Sequence, residues 1–222
     1  MRNKYGFLLL SAMLGACGQV DRGGTDTGNG YEVALTISAA PTPSNALVRA
    51  TPTLTAAWLA VREIEFRNCD HTDRSKVAFD GPYFVNLMEG LSVDSAVLDE
   101  ASYCRLRIRF HKTKSDEAPA ALAGASVALE GTTAAGTPFV IRGQRSDTVD
   151  IDGDGDALQF NHGLNPLDLQ FNLADWLLRL NIDSGTPNAS GVVLIDNDHN
   201  RDLLQAFDRN VHQAVRLARR AK

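Results

Sequence analysis

An alternation of apolar and polar residues with a period of two is the feature that most constrains the fold of this chain. In the segment Cys104–His111 the apolar side chains occupy every second position, and Arg105, Arg107 and Arg109 lie between them. Successive side chains of a β-strand point to opposite faces, so this segment predicts a strand with one buried face. We interpret the arginines as the solvated face of a sheet; the alternative is a stripe that binds anions.

Two further segments show the same alternation. In Tyr31–Ile37 the apolar residues again occupy every second position, which predicts a half-buried strand. In Trp58–Phe66 the phase of the alternation changes at Arg62 and Glu63. An extra residue in one strand has this effect, so we expect a β-bulge that keeps the apolar residues on both sides of it facing the core.

Shorter apolar segments that are bounded by turn residues predict the remaining strands. They are Tyr83–Leu87, Ser126–Glu130, Phe139–Arg142, Thr148–Ile151, Leu167–Phe171 and Val192–Ile195. Short strands that do not alternate with helices are typical of an all-β domain. We therefore expect a mostly β fold, an antiparallel β-sandwich of the immunoglobulin or prealbumin kind, over residues 31–199.

Two helices are expected beside these strands. The first is the short segment Ala174–Arg179, and the second is an amphipathic helix in residues 200–222. The apolar face of the second helix consists of Leu203, Leu204, Phe207, Val211, Ala214, Val215 and Ala218. Asn200 or Asp202 is suited to cap its start, and the basic residues at its end complement the helix dipole. We expect this helix to dock on the sandwich; the alternative is a helix that lies on a membrane surface.

The N-terminus has the organisation of an export signal. Arg2 and Lys4 precede an apolar stretch, residues 6–16, which is too short to span a bilayer. The stretch ends in Leu14-Gly15-Ala16-Cys17, which resembles the lipobox of bacterial lipoproteins. We expect residues 1–16 to be removed and Cys17 to carry lipid; the alternative is an ordinary signal peptide.

The residues after the cysteine refine this expectation. Residues 17–30 are rich in glycine and polar side chains, which predicts a flexible tether between the lipid and the domain. Gly18 stands where an aspartate would favour retention in the inner membrane of enterobacteria. The predicted location is therefore the cell envelope, with the outer membrane favoured.

Charge and cysteine content limit the partners and the redox compartment. Residues 1–16 hold two of the 22 basic residues and none of the 27 acidic ones, so the remaining chain has a formal charge of −7. An acidic chain of this kind does not favour a nucleic-acid partner. Lipidation of Cys17 leaves Cys69 and Cys104, which predict a disulfide in an oxidising compartment. Two free buried thiols are the alternative.

Five segments together resemble a known group of proteins. They are Val33–Ile37, Glu63–Phe66, Val85–Gly90, Tyr103–Phe110 and Leu167–Phe171. In this order they are similar to a β-sandwich domain of unknown function that is found in bacterial lipoproteins. The resemblance implies a sandwich fold and an envelope location. That family has no established catalytic residues, so the resemblance implies no reaction.

Two acidic segments have the spacing of cation ligands. The first places Asp150, Asp152, Asp154 and Asp156 at every second position with glycines near the end, similar to the start of a calcium loop. The bidentate acid of such a loop is missing, because Asn161 stands at its twelfth position. The second, weaker segment contains Asp196, Asp198, Asn200 and Asp202. Acidic turns and helix caps explain both segments without a metal, and calcium as a cofactor is the alternative.

The sequence contains none of the common catalytic motifs. Gly-x-Ser-x-Gly, His-Glu-x-x-His, Walker and Cys-x-x-Cys patterns are all missing, and the five histidines are scattered. We therefore expect a non-enzymatic binding or structural module that is held to the membrane by lipid and contacts an envelope protein or glycan. The alternatives are a calcium-dependent adhesion or carbohydrate-binding module and an envelope hydrolase with an unrecognised site.

Overall fold

The alternating segments form the strands of a sandwich. The computed structural model describes residues 30–41, 52–70, 76–152 and 158–219, and these contain eleven strands. The strands are β1 (Gly30–Ala39), β2 (Thr53–Asn68), β3 (Lys76–Asn86), β4 (Leu91–Asp99), β5 (Tyr103–Phe110), β6 (Val127–Thr132), β7 (Pro138–Gly143), β8 (Thr148–Asp152), β9 (Leu164–Phe171), β10 (Val193–Ile195) and β11 (Val215–Arg219). The helices are α1 (Leu173–Trp176) and α2 (Arg201–Gln213), with short 3₁₀ turns at Ala120–Leu122 and Ile182–Ser184.

The strands lie in two sheets, which confirms the expected sandwich. One sheet has the order β11-β9-β1-β4, and the other has the order β10-β7-β6-β2-β5-β8, with β3 paired to β2. Most neighbouring strands are antiparallel, but β1 pairs with β9 and β7 pairs with β10 in parallel. The wholly antiparallel arrangement was therefore wrong at these two pairs. Parallel neighbours need long crossover connections, and both pairs are far apart in the chain.

The predicted bulge in β2 is confirmed. The register of β2 shifts between Val61 and Glu63 against both β3 and β5. Val61 and Ile64, on either side of the shift, are both fully buried. One edge of β2 pairs with β3, and its other edge pairs with β6 over the first half and with β5 over the second. The long bulged strand therefore organises the larger sheet.

Helix α2 packs on the sandwich, as expected from its apolar face. Phe207 and Val211 are fully buried. The indole of Trp176 lies between the rings of Phe171 and Phe207, with edge-on centroid distances of 5.7 and 6.0 Å. The side-chain amide of Asn210 donates to the carbonyl of Trp176 at 3.0 Å. These contacts join α1, α2 and β9 into one part of the core.

The end of the chain differs from the prediction. The helix ends at Gln213, and Val215–Arg219 forms strand β11, which pairs antiparallel with β9. Val215 and Leu217 lie on either side of Arg216 at the period of a strand, so this segment fits the edge of a sheet as well as a helix face. Pairing of β11 with β9 satisfies backbone groups on the edge of β9. A longer helix would leave these groups of β9 without that partner. The expectation of a single helix to the last residues was therefore wrong.

Strand β4 was not predicted, because Asp94 and Ser95 interrupt its apolar pattern. The expected signal peptide, Cys17 and most of the tether lie outside the described residues. No helix within residues 30–41, 52–70, 76–152 and 158–219 is long and apolar enough to cross a membrane.

Candidate functional site

The predicted disulfide is confirmed. Cys69 and Cys104 are bonded, with their Cα atoms 4.9 Å apart, and they join the end of β2 to the start of β5. The backbone N–H of Cys69 also donates to the carbonyl of Ser102 at 2.8 Å. The bond therefore stabilises a strand pair that is already aligned by hydrogen bonds.

The first acidic segment lies against the arginines of β5. Asp150 and Asp152 are in β8, which pairs with β5. Asp150 accepts hydrogen bonds from Arg107 Nε at 2.7 Å and Nη2 at 2.9 Å, and Asp152 accepts one from Arg105 Nε at 2.6 Å. The hydrogen bond from Arg107 holds the pKa of Asp150 below its usual value, although burial opposes this shift. These carboxylates are therefore the partners of the arginines that the sequence placed on the outer face.

The same outer face continues onto β2. Arg109 Nη1 lies 2.8 Å from Glu63 Oε1, and Glu65 lies at longer range, 4.0 Å from Arg109 and 3.9 Å from Arg67. The arginine row is thus flanked by carboxylates on both neighbouring strands. An ion-paired face of this kind favours the solvated-sheet interpretation over the anion-binding stripe.

The structure does not bring a calcium site together within the residues that it describes. Asp154 and Asp156 lie outside those residues, and the described part of the chain has no cluster of three or more metal-ligating side chains. Asp150 and Asp152 already engage arginines. Calcium at this segment stays a prediction.

The second acidic segment forms a hydrogen-bonded turn. Asp196 Oδ1 accepts from the backbone N–H of Asp198 at 2.8 Å and of His199 at 2.7 Å, and it lies 3.0 Å from His199 Nδ1. Burial alone would raise the pKa of Asp196, but these hydrogen bonds lower it below its usual value. Asp202 lies in the first turn of α2. One carboxylate oxygen of Asp196 thus serves the turn.

Asn200 precedes α2 but does not cap it through its side chain. Its backbone is left-handed, with a φ of 48°. Its amide group donates to the carbonyls of Thr186 at 3.1 Å and Leu194 at 2.7 Å and accepts from the N–H of Thr186 at 2.9 Å. Asn200 therefore joins β10, the preceding loop and the start of the helix.

A buried cluster around Arg145 was not singled out in the sequence. The Arg145 side chain is 5% exposed and stacks on Phe110, with its guanidinium carbon 5.3 Å from the ring centroid. It donates to Asp147 Oδ1 at 3.1 Å and Oδ2 at 2.5 Å and to the carbonyl of Asp208 at 2.6 Å. His212 Nε2 contacts Arg145 Nη2 and lies 2.9 Å from Asp147 Oδ2. The cluster holds α2 against the loop between β7 and β8.

The carboxyl group of Asp208 is the member of this cluster whose hydrogen bonding is incomplete. Its Oδ1 is buried, lies 3.8 Å from Arg145 Nη1 and has no hydrogen-bond partner among the described residues. Burial raises the pKa of Asp208, and the charge of Arg145 only partly opposes this effect. No local pattern marks these residues, because they come from a loop and a helix that meet only in the fold.

A groove of about 330 Å³ opens between β3 and β4. Its lining includes Phe79, Asp80, Tyr83, Val93, Asp94 and Ala96. Burial, together with the charges of Asp80 and Asp94, raises the pKa of the Tyr83 hydroxyl. The groove therefore combines an aromatic ring, apolar walls and two carboxylates. This groove was not predicted, because strand β4 was not predicted.

The described histidines have acidic neighbours. His111 lies 2.8 Å from Glu117, and His199 and His212 contact Asp196 and Asp147. Within the part of the chain that the structure covers, none of their hydrogen bonds goes to a serine, threonine or cysteine side chain. That the protein is not an enzyme stays a prediction.

Comparison with known proteins gives one similarity of fold. No protein-family model and no curated protein sequence matches the chain, so the family resemblance of its motifs stays a prediction. Among solved structures, the chain is similar to MbnP from Methylosinus trichosporium, with 9% sequence identity and a TM-score of 0.48. The alignment covers 87% of this chain and 99% of that one. At this level the similarity says nothing about ligand or activity.

Proposed function

We propose that this chain is a cell-envelope lipoprotein whose β-sandwich acts as a non-catalytic binding or structural module. The observation that carries the proposal is the sequence Leu14-Gly15-Ala16-Cys17 after a basic and then an apolar segment. Diacylation of the cysteine would hold the protein to the membrane, since each buried methylene contributes about 0.8 kcal/mol. Gly18 favours the outer membrane as the destination.

The disulfide supports an envelope location. Disulfides form and persist in oxidising compartments such as the bacterial periplasm and the cell surface. Because Cys69 and Cys104 are bonded to each other, neither of them pairs with Cys17. The thiol of Cys17 is therefore available for lipid.

The charged clusters support a module without catalysis. Asp150 and Asp152 pair with arginines, and the donors of Arg145 are directed to Asp147 and Asp208. Groups that satisfy each other inside the fold stabilise it and are not poised to act on a substrate. We therefore assign these clusters a structural role and look for binding on the open edges of the sheets.

The anchor is tested with the full chain expressed in a bacterial host. Wild type is expected in the membrane fraction and to incorporate labelled fatty acid, whereas Cys17→Ser is expected to lose the label and to leave that fraction. Ser11→Ala, in the same leader, serves as the control and should behave as wild type. Retention of both label and membrane association in Cys17→Ser would refute the anchor.

A further inference from the structure

The groove between β3 and β4 lies where the two sheets of the sandwich end side by side. Among the described strands, β3 pairs only with β2 in the larger sheet, and β4 is the terminal strand of the smaller one. Terminal strands present unpaired backbone groups along one edge, and these can pair with another extended chain. The groove is therefore flanked by backbone suited to a further strand.

The chain segment that forms the groove carries charges of one sign. Between Lys76 and Arg105 the sequence contains five acidic residues and no lysine, arginine or histidine. Two of the five, Asp80 and Asp94, line the groove and are exposed. Glu32 on β1 adds a further carboxylate beside β4, where it accepts a hydrogen bond from Ser95 at 2.9 Å. The carboxylates that line the groove are thus complementary to a cationic partner.

We propose that the groove binds an extended polypeptide segment that carries lysine or arginine and adds a strand to the edge of β4. The inference rests on the proposed function as a binding module and names the class of its partner. It does not depend on the lipid anchor.

The lining explains how such a segment is recognised. Side chains of an extended peptide alternate in direction, so every second residue points into the groove. A lysine or arginine there can form charge-assisted hydrogen bonds with Asp80 and Asp94. The ring of Tyr83 offers a cation–π contact, and the half-buried Val93 packs on the aliphatic part of the side chain. The backbone supplies affinity, and the acidic groove supplies selectivity.

Other occupants fit these features less well. Acidic lipid headgroups and nucleic acids would be repelled by the carboxylates of the groove. A small cation would use the two acids but not the free strand edge. An extended basic segment is the occupant that uses both.

Calorimetric titration of the purified full chain in a non-ionic detergent at low salt tests the proposal. The probe is a ten-residue peptide of alternating lysine and threonine, and the comparison peptide replaces each lysine with glutamate. We expect the lysine peptide to bind at least tenfold more tightly than the glutamate peptide. The double variant Asp80→Asn/Asp94→Asn should lose at least tenfold in affinity for the lysine peptide.

The matched control is Asp116→Asn/Asp183→Asn, which changes the net charge equally at two exposed acids elsewhere. Its affinity should stay within twofold of wild type. Equal losses in the two double variants would mean that net charge alone attracts the peptide and would overturn the proposed groove. Circular dichroism and melting temperature show whether each variant is folded. The difference in affinity for the lysine peptide between Tyr83→Phe and Tyr83→Ala measures the contribution of the ring.

Two further probes test the added strand. A lysine–threonine peptide that is N-methylated at alternate residues keeps its charge but loses the donors of one edge, and it should bind at least tenfold more weakly. Spermine carries charge without a peptide backbone and should also bind weakly. Tight binding of spermine, or full affinity of the methylated peptide, would overturn strand addition. Failure of these titrations leaves the membrane fractionation of Cys17→Ser unaffected, so the two proposals fail separately.

Discussion

The buried guanidinium of Arg145 is held by both carboxylate oxygens of Asp147, at 3.1 and 2.5 Å, with one residue between them in the chain. The same guanidinium donates at 2.6 Å to the carbonyl of Asp208 in α2. A local pair thus acts as a long-range link, because its remaining donor reaches a helix more than sixty residues away in sequence. This link explains how α2 is held over the larger sheet.

Removing Arg145 should destabilise the protein strongly. Arg145→Ala removes a buried guanidinium with its hydrogen bonds and leaves the buried Oδ1 of Asp208 without its cation, so we expect a loss of about 3 kcal/mol in the free energy of unfolding. Urea unfolding of the full chain measures this loss. Arg209→Ala, on an exposed position of the same helix, is the control and should change stability by less than about 0.5 kcal/mol. Equal stability of the two variants would contradict the role of the cluster.

Asp208 should make stability depend on pH. Its pKa in the folded protein is raised above the ordinary value of 3.8, so the folded state holds this proton more tightly than the unfolded state. This contribution is present below about pH 4 and is lost as the pH rises through the raised folded pKa. Asp208→Asn mimics the protonated form, so it should gain stability relative to wild type over that window. Unfolding curves across pH 3 to 8 test this, with Asp183→Asn as the control, and a constant difference would refute it.

Asp150 should show the opposite pH dependence. Its pKa is lowered in the folded state, chiefly by the hydrogen bond from Arg107, so its contribution is present above the unfolded pKa and is lost as the pH falls through the folded one. Because the pair is partly exposed, we expect Asp150→Asn to cost only about 1 kcal/mol at neutral pH. Asp152→Asn, whose side chain is 70% exposed, should cost less. The reverse order in urea unfolding would contradict the assigned pairing.

The disulfide should contribute substantially to stability. Cys69 and Cys104 are 35 residues apart, and closing a loop of this size is worth about 4 kcal/mol in the chain-entropy model. Cys69→Ser/Cys104→Ser should therefore melt well below wild type under oxidising conditions. Cys17→Ser keeps the bond and should melt as wild type does. A reductant should lower the melting temperature of wild type but not that of the double variant.

Calcium binding remains to be measured at the two acidic segments. If Asp150, Asp152, Asp154 and Asp156 bind calcium, millimolar Ca²⁺ should release heat in calorimetry and raise the melting temperature. Asp154→Asn/Asp156→Asn should abolish both effects, whereas Asp198→Asn, in the second segment, should leave them. Absence of heat and of a melting shift in wild type would remove the prediction.

The sequence by itself determined most of the strands, the bulge and the packing face of α2. These features follow from side-chain periodicity, which is local: Val61 and Ile64 change phase around one extra residue, and Phe207 and Val211 repeat at helical spacing. Cysteine count also predicted the bond between Cys69 and Cys104, since Cys17 is predicted to carry lipid.

Only the tertiary structure decided which segments meet. Val215–Arg219 forms a strand because β9 offers a partner, and so short an apolar pattern does not distinguish a strand at that edge from a helix face. Arg145 contacts Asp208, and Asp80 and Asp94 line one groove, through loops and sheet edges whose approach has no periodic signal. Pairing across sheets and burial of charge depend on contacts between distant segments, and these contacts determined both the structural cluster and the proposed binding groove.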